Sequence, residues 1–256
     1  MPLPKFLNQL TQVFFAAPCP LCQRSTPSLL CDNCYRQVYA CRWSNSTPDN
    51  PIHNVSGGIQ LSNETTLPVF SWGKYQGGLK QILALLKYGN QAELGIWLGC
   101  QLGQQWRVSN PHSASRPVVV PIPLHSQRLR ERGYNQAALI AQGFCRVTGL
   151  PWAEHGLIRI KATDAMHRLG LNERQSNLAG AFQLGNELSS RQRPILLVDD
   201  IYTTGTTGNM VAVLLMRAGY TVLGIATVAR AVLLPPVVGL PRPCHPHQIL
   251  NSHPSL

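Results

Sequence analysis

A chain of 256 residues with 44% apolar residues can bury one α/β core with an appendage, or two small cores. It has no apolar run long enough for a membrane span, and its opening "KFLNQLTQVFFAAPCP" lacks the basic-then-apolar order of a secretory signal, so a cytoplasmic protein is expected. Lys and Arg number 22 against 11 Asp and Glu, a net +11 that suits a polyanionic partner or a phosphate-rich ligand, and equally an ordinary basic enzyme surface.

In chain order, residues 1–41 combine an amphipathic start with "CPLCQRSTPSLLCDNC". Residues 42–66 are polar, rich in Pro, Gly, Asn and Ser, and read as a linker or long loop. From there to 231 the chain alternates. "PVFSWGKY" predicts a strand, and "GGLKQILALLKYG" a helix with Leu79, Ile82, Leu83 and Leu86 on one face. "QAELGIWLGCQLGQQWRV" predicts a second helix and "RPVVVPIP" a short buried strand. "YNQAALIAQGFCRVTG" predicts a helix closed by Gly149. "GLIRI" reads as a strand and "NERQSNLAGAF" as a weaker helix. "RPILLVDD" is a strand, "TGNMVAVLLMRAG" a helix closed by Gly219, and "YTVLGIATVAR" a further strand. The stretch 232–256 is rich in Pro and His without periodicity, and disorder is expected there. No repeat period is visible.

Continuous Val/Ile/Leu strands alternating with helices predict a parallel sheet covered on both faces. Such sheets bind ligands beyond the carboxyl ends of their strands. Asp199 and Asp200 stand at such an end, followed by "IYTTGTTG". A strand-to-helix turn offers unpaired N–H groups and the positive end of a helix dipole to an anion. Gly205 and Gly208 permit positive φ, and Thr203, Thr204, Thr206 and Thr207 add hydroxyls, which together suit a phosphate monoester. Ionised carboxylates would repel that phosphate, but as pure acceptors they suit the vicinal hydroxyls of a ribose. A metal site, or a helix cap with no ligand, is the alternative. A Walker A loop is excluded by its absence from the sequence.

The stretch "ILLVDDIYTTGTT" resembles the phosphoribosyl diphosphate (PRPP) motif of type I phosphoribosyltransferases. "VVVPIPLHSQRLRERGYNQAALIA", "RLGLNERQSNLAGAF", "LLKYGNQAELG" and the N-terminal cysteine cluster are similar to the ComF competence group of that superfamily, over about residues 18–230. The resemblance implies an α/β, parallel-sheet type I phosphoribosyltransferase fold of five strands with a variable hood, preceded by a small zinc-binding segment with four cysteine ligands. It implies that Asp199 and Asp200 hold the ribose hydroxyls and that Thr203, Thr204, Gly205, Thr206 and Thr207 wrap the 5-phosphate. Pro123 and Leu124 would lie where backbone approaches the diphosphate. Arg132 is favoured for a phosphate contact, with Arg128 and Arg130 left open between that, a solvated helix face and a DNA surface.

A mobile loop is implied near "IRIKATDAMHRLGLNERQSN", supplying Arg159, Lys161, His167, Arg168 and Arg174, of which Arg168 and Arg174 are the diphosphate candidates. ComF-like chains usually read Thr-x-x-Gln where this one has Thr163 and Met166, a departure that puts the amide contact implied at 166 in question. The implied reaction displaces diphosphate from ribose C1 by a nitrogen nucleophile, with Mg²⁺ bridging diphosphate and ribose oxygens. Members acting on 6-oxopurines carry a carboxylate where Thr203 stands; threonine cannot serve as that base near neutral pH, which argues against hypoxanthine or guanine and leaves the acceptor open. The resemblance also implies natural competence, handling of single-stranded DNA, and partners such as a helicase and other competence proteins.

Cys19, Cys22, Cys31 and Cys34 form two C-x-x-C knuckles. Four thiolates complete a closed tetrahedral Zn²⁺ site, a structural metal. Redox or disulfide motifs are the alternative, disfavoured without a secretory signal. The scattered Cys41, Cys100, Cys145 and Cys244 carry no assigned role. Arg24, Arg36 and Arg42 lie around the cluster and are candidates to touch nucleic acid. Three functions remain: a ComF-type protein with a PRPP pocket, a salvage transferase acting on a free base, and a non-catalytic nucleotide or single-stranded DNA module.

Overall fold

A computed structural model describes residues 17–43, 59–60, 66–110, 115–161, 180–188 and 191–231. Most of the 42–66 stretch, the residues 162–179 and the 232–256 stretch therefore lie outside the described residues, and with them His167, Arg168 and Arg174. The elements in order are β1 (Ala17–Pro18), β2 (Ser25–Thr26), α1 (Asp32–Tyr39), β3 (Ile59–Gln60), β4 (Thr66–Leu67), β5 (Val69–Lys74), α2 (Gly77–Tyr88) and α3 (Ala92–Ser109). There follow β6 (Val118–Pro121), α4 (Ser126–Arg132), α5 (Gln136–Thr148), β7 (Leu157–Arg159), β8 (Phe182–Leu184), β9 (Ile195–Tyr202), α6 (Thr206–Arg217) and β10 (Val222–Arg230).

Four strands form one parallel sheet in the order β5-β10-β9-β6. The fifth strand implied by the resemblance shrinks to one bridge. The Val119 N–H donates to the Pro151 carbonyl and the Ala153 N–H to the Val119 carbonyl, a parallel contact beside Trp152. A proline at 151 can accept there but brings no N–H of its own to extend the ladder. Alternation along β9 sends Leu196 and Val198 to one core and Ile195 and Leu197 to the other. The first core packs Phe70, Trp72, Val119 and Val228 against α2, α3 and α5; the second packs Val69, Val120 and Ile225 against α6. The predicted stripe Leu79, Ile82, Leu83 and Leu86 is wholly buried in the first. Helices α3 and α5 cross closely because Gly99 and Gly143 face backbone: a Cβ at either would lie 2.0 Å from a carbonyl oxygen of the other helix. Gly149 and Gly219 close α5 and α6 with positive φ as expected, at 68° and 85°.

One expectation changes. Phe182, placed by sequence in a weak helix, instead opens β8, which pairs antiparallel with β7 after a left-handed Gly180. Phe182 is buried and carries the Arg159 guanidinium 5.5 Å over its ring, so packing overrides a local helical pattern. The cysteine segment shares the main core. Cys19, Leu30, Cys34, Val38 and Cys41 belong to the first core, and α1 packs on α2 at Gly78, where a Cβ would meet the Gln37 backbone at 3.0 Å. The Trp43 N–H donates to the Trp72 carbonyl and the Lys74 N–H to the Cys41 carbonyl, so the segment also covers the edge of β5. Among the described residues no helix is long and apolar enough to cross a membrane.

Candidate functional site

Strand β9 runs beyond the carboxylates to Tyr202, so Asp199 and Asp200 occupy its last half. Adjacent strand residues project to opposite faces, which separates two like charges that are neighbours in sequence. Asp200 turns to α2, where its Oδ2 lies 2.8 Å from Lys87 Nζ. Asp199 accepts the Asp200 N–H at Oδ1, 2.8 Å. Burial and the Asp200 charge push the Asp199 carboxyl up to about 7, against the opposing pull of the Asp200 N–H, Lys87 and Arg159.

The chain then reverses into α6. Gly205, at φ 74°, is the N-cap, and a Cβ there would fall 2.6 Å from the Tyr202 hydroxyl, so only glycine fits. Gly208 differs from expectation: it lies within α6 and is buried, because the helix already begins at Thr206. Thr203, Thr204 and Thr206 are exposed on the turn, and the Thr204 and Thr206 hydroxyls lie 2.8 Å apart.

A cleft of about 120 Å³ opens at the carboxyl ends of β6 and β9, lined by Asp199, Asp200 and Thr207 on one side and Ile122, Pro123, Leu124 and Arg132 on the other. All of these except Ile122 are candidates from the sequence; the structure brings them together and leaves Thr203 to Thr206 on the adjoining turn. It adds Lys87, Asn135 and Gln136, and it brings in Arg159, expected from the mobile loop, from the end of β7. Lys87 stands in the quoted "LLKYGN", just after the buried stripe of α2, but no spacing rule in the sequence connects it to Asp200. Asn135 caps α5 by accepting from the Ala137 N–H and donates to the Ile122 carbonyl at 3.1 Å, which pins the β6 exit loop. Arg132 lies 5.3 Å over the Tyr88 ring, while Arg128 pairs with Glu131 at 3.4 Å on the surface of α4. Three cations and the N-terminal turns of α5 and α6 thus converge on two carboxylates, an arrangement for a ligand with anionic groups and hydroxyl donors. A larger groove of about 370 Å³ lies where α3 and α5 end and β6 begins. Its lining, which includes Trp106, Arg107, Asn110 and Arg116, carries no carboxylate.

The cysteine cluster is compact. The ligand atoms of Cys19, Cys22, Cys31 and Cys34 all lie within 4.8 Å of one another, and the Cys22 and Cys31 sulfurs are 3.5 Å apart, too far for a disulfide. A tetrahedron with Zn–S bonds of about 2.3 Å has sulfur atoms about 3.8 Å apart, so the donor set fits a four-coordinate metal. Burial opposes ionisation of Cys19, but the N–H groups of Cys31, Cys22 and Leu21 hold its thiol at about 6. Burial and the neighbouring thiols push Cys34 upward, as expected where four sulfurs crowd together.

No family model matches the chain. It is 32% identical over 148 residues to the DNA utilization protein YhgH of Salmonella typhi, a match covering 57% of this chain and 64%, under two thirds, of that one. It is 30% identical over 152 residues to competence protein ComFC of Bacillus subtilis, covering 57% of this chain and 56% of that protein. Among solved structures it resembles, at 20% identity and a TM-score of 0.34, an allosteric regulatory enzyme of purine biosynthesis, over 55% of this chain and 25% of the other. Competence protein F of Haemophilus influenzae is 31% identical over 168 residues, 62% of this chain and 71% of its own length, and that sustained identity makes this chain a member of the ComF competence family.

Proposed function

We propose that the cleft holds a phosphoribosyl group, PRPP or a related ligand, in a protein serving DNA uptake in natural competence. The observation that supports it best is the junction of Asp199 and Asp200 with the Gly205 turn at the carboxyl end of β9, facing Arg132 across the cleft. In this reading the carboxylates accept the ribose hydroxyls and Thr203 to Thr207 with the α6 N-terminus hold the 5-phosphate. Pro123, Leu124 and Arg132 meet the diphosphate, with Arg168 and Arg174 as further candidates. Mg²⁺ would neutralise the diphosphate when bound, and Zn²⁺ would fill the four-cysteine cluster as a structural ion. If turnover occurs, the class is glycosyl transfer to an acceptor other than a 6-oxopurine. PRPP with Mg²⁺ is expected to raise the melting temperature of the wild type and to leave Asp199→Asn/Asp200→Asn unmoved; a wild type that does not respond rejects the reading.

A second activity, binding of single-stranded DNA, is favoured by the outer face of α1. Tyr35 and Tyr39 are exposed and stacked, 5.6 Å apart at 17°, with Trp97 edge-on to Tyr35 and the Arg42 guanidinium 5.3 Å over Tyr39. Within 17–43 and 66–86, Arg24, Arg36, Arg42, Lys74 and Lys80 outnumber a single acid, Asp32. Aromatic faces amid cations suit bases and phosphates of a single strand. Tyr35→Ala/Tyr39→Ala is expected to weaken binding of labelled oligo-dT about tenfold or more, with an unchanged salt slope. Equal affinity in wild type and variant would place any DNA contact elsewhere.

A further inference from the structure

An ion pair in the cleft occupies a group that a ligand of this kind would need. Lys87 Nζ sits 2.8 Å from Asp200 Oδ2, with the two side chains 21% and 13% exposed. An ammonium bound there occupies a carboxylate that the phosphoribosyl reading assigns to ribose hydroxyls. Lys87 is also held in place by its backbone. The Tyr134 hydroxyl donates to the Leu86 carbonyl at 2.7 Å, and the Gly89 N–H closes the last turn of α2 on Leu85. Tyr88, the next residue, carries Arg132 over its ring. The end of α2 is thus fastened to the α4–α5 turn and sets both cations at the cleft wall, while the flexible four-carbon stem lets the Lys87 ammonium swing.

We infer that Lys87 is a positioning residue that works by exchange: in the free protein its ammonium neutralises Asp200, and when a phosphorylated ribose enters it moves to the ligand's phosphate oxygens, releasing Asp200 Oδ2 to accept a hydroxyl proton. This rests on the phosphoribosyl reading of the same cleft. The electrostatics agree. Two adjacent carboxylates need a counter-charge when no ligand is present, and a phosphorylated ligand needs the same charge once it arrives. The groups facing the pair are Lys87 from α2, Arg132 from α4 and Arg159 from β7. Of these, Lys87 contacts Asp200 directly, at 2.8 Å.

The test uses the intact chain, K87M and K87R. Without ligand, carboxyl-carbon NMR should show Asp199 titrating higher in K87M, where the opposing pull of the Lys87 ammonium is gone, and unchanged in K87R. With PRPP and Mg²⁺, K87M should bind about 30-fold more weakly, K87R within a few-fold of wild type, and the pH midpoint of binding should rise in K87M alone. A purely structural lysine would change affinity in both variants without moving the midpoint. If wild type and K87M bind PRPP equally with the same pH midpoint, the exchange is overturned while the phosphoribosyl reading stands. If the wild type binds no PRPP, that reading falls and the exchange with it.

Discussion

Chelating the metal from the cysteine segment is expected to lower the melting temperature by about 10 °C or more, well beyond what a surface appendage would cost. Cys19 and Cys34 are 0% and 3% exposed and sit in the same apolar cluster as Trp72, Leu79 and Phe144. Loss of the ion leaves four thiols within 4.8 Å, of which Cys19 favours the thiolate and Cys34 resists it. Repulsion and desolvation then push the segment off α2 and uncover the edge of β5. Calorimetry with and without chelator, alongside metal analysis, measures the effect. Cys34→Ser should reproduce it and Cys100→Ala should not, although Cys100 is also a partly buried free thiol. A zinc-loaded protein whose melting is indifferent to chelator, or a protein purified without metal, would reject the site.

Asp199→Asn is expected to stabilise the ligand-free protein at pH 8 while abolishing PRPP binding. The folded carboxyl rises from 3.8 to about 7, first through burial and then through Asp200. The fold therefore prefers the protonated acid. Its favourable contribution is complete below the unfolded value near 4 and disappears as pH climbs through about 7. A rise of that size corresponds to at most about 4 kcal/mol, and a gain of about 1–3 kcal/mol is expected after relaxation. The amide still accepts the Asp200 N–H, so the local hydrogen bond survives. Denaturant melts at pH 5 and pH 8 provide the check: the advantage of the variant should grow with pH. A constant difference would show that Asp199 does not titrate in this range. Opposite signs for stability and binding are the mark of a side chain kept for a ligand at the expense of the fold.

How much could be read in the residues followed from how local the cause was. The alternation of apolar strands with 3.6-period helices, and glycines closing α5 and α6, are local, and the parallel sheet with its Asp199–Thr207 turn followed from them. The cysteine cluster was legible because metal geometry constrains spacing. Three features were not. Lys87 meets Asp200 across more than a hundred residues, a contact set by how α2 lies on the sheet. The α1 segment joins the main core through Gly78 and Trp72, which no composition shift announces. The strand at Phe182 forms because β7 offers it a partner, and local propensity has no knowledge of partners.

The shared core of the cysteine segment has a consequence for synthesis. Cys19 to Cys34 leave the ribosome before β5 and α2 exist, about forty residues ahead of the surface that will cover them. At about 5–20 residues per second this exposes four thiols for a few seconds. An ion captured in that interval would fold the knuckles early and present α1 as a finished template on which α2 can settle. A nascent chain lacking the ion would offer oxidants all four sulfurs, of which the completed protein buries Cys19 and Cys34.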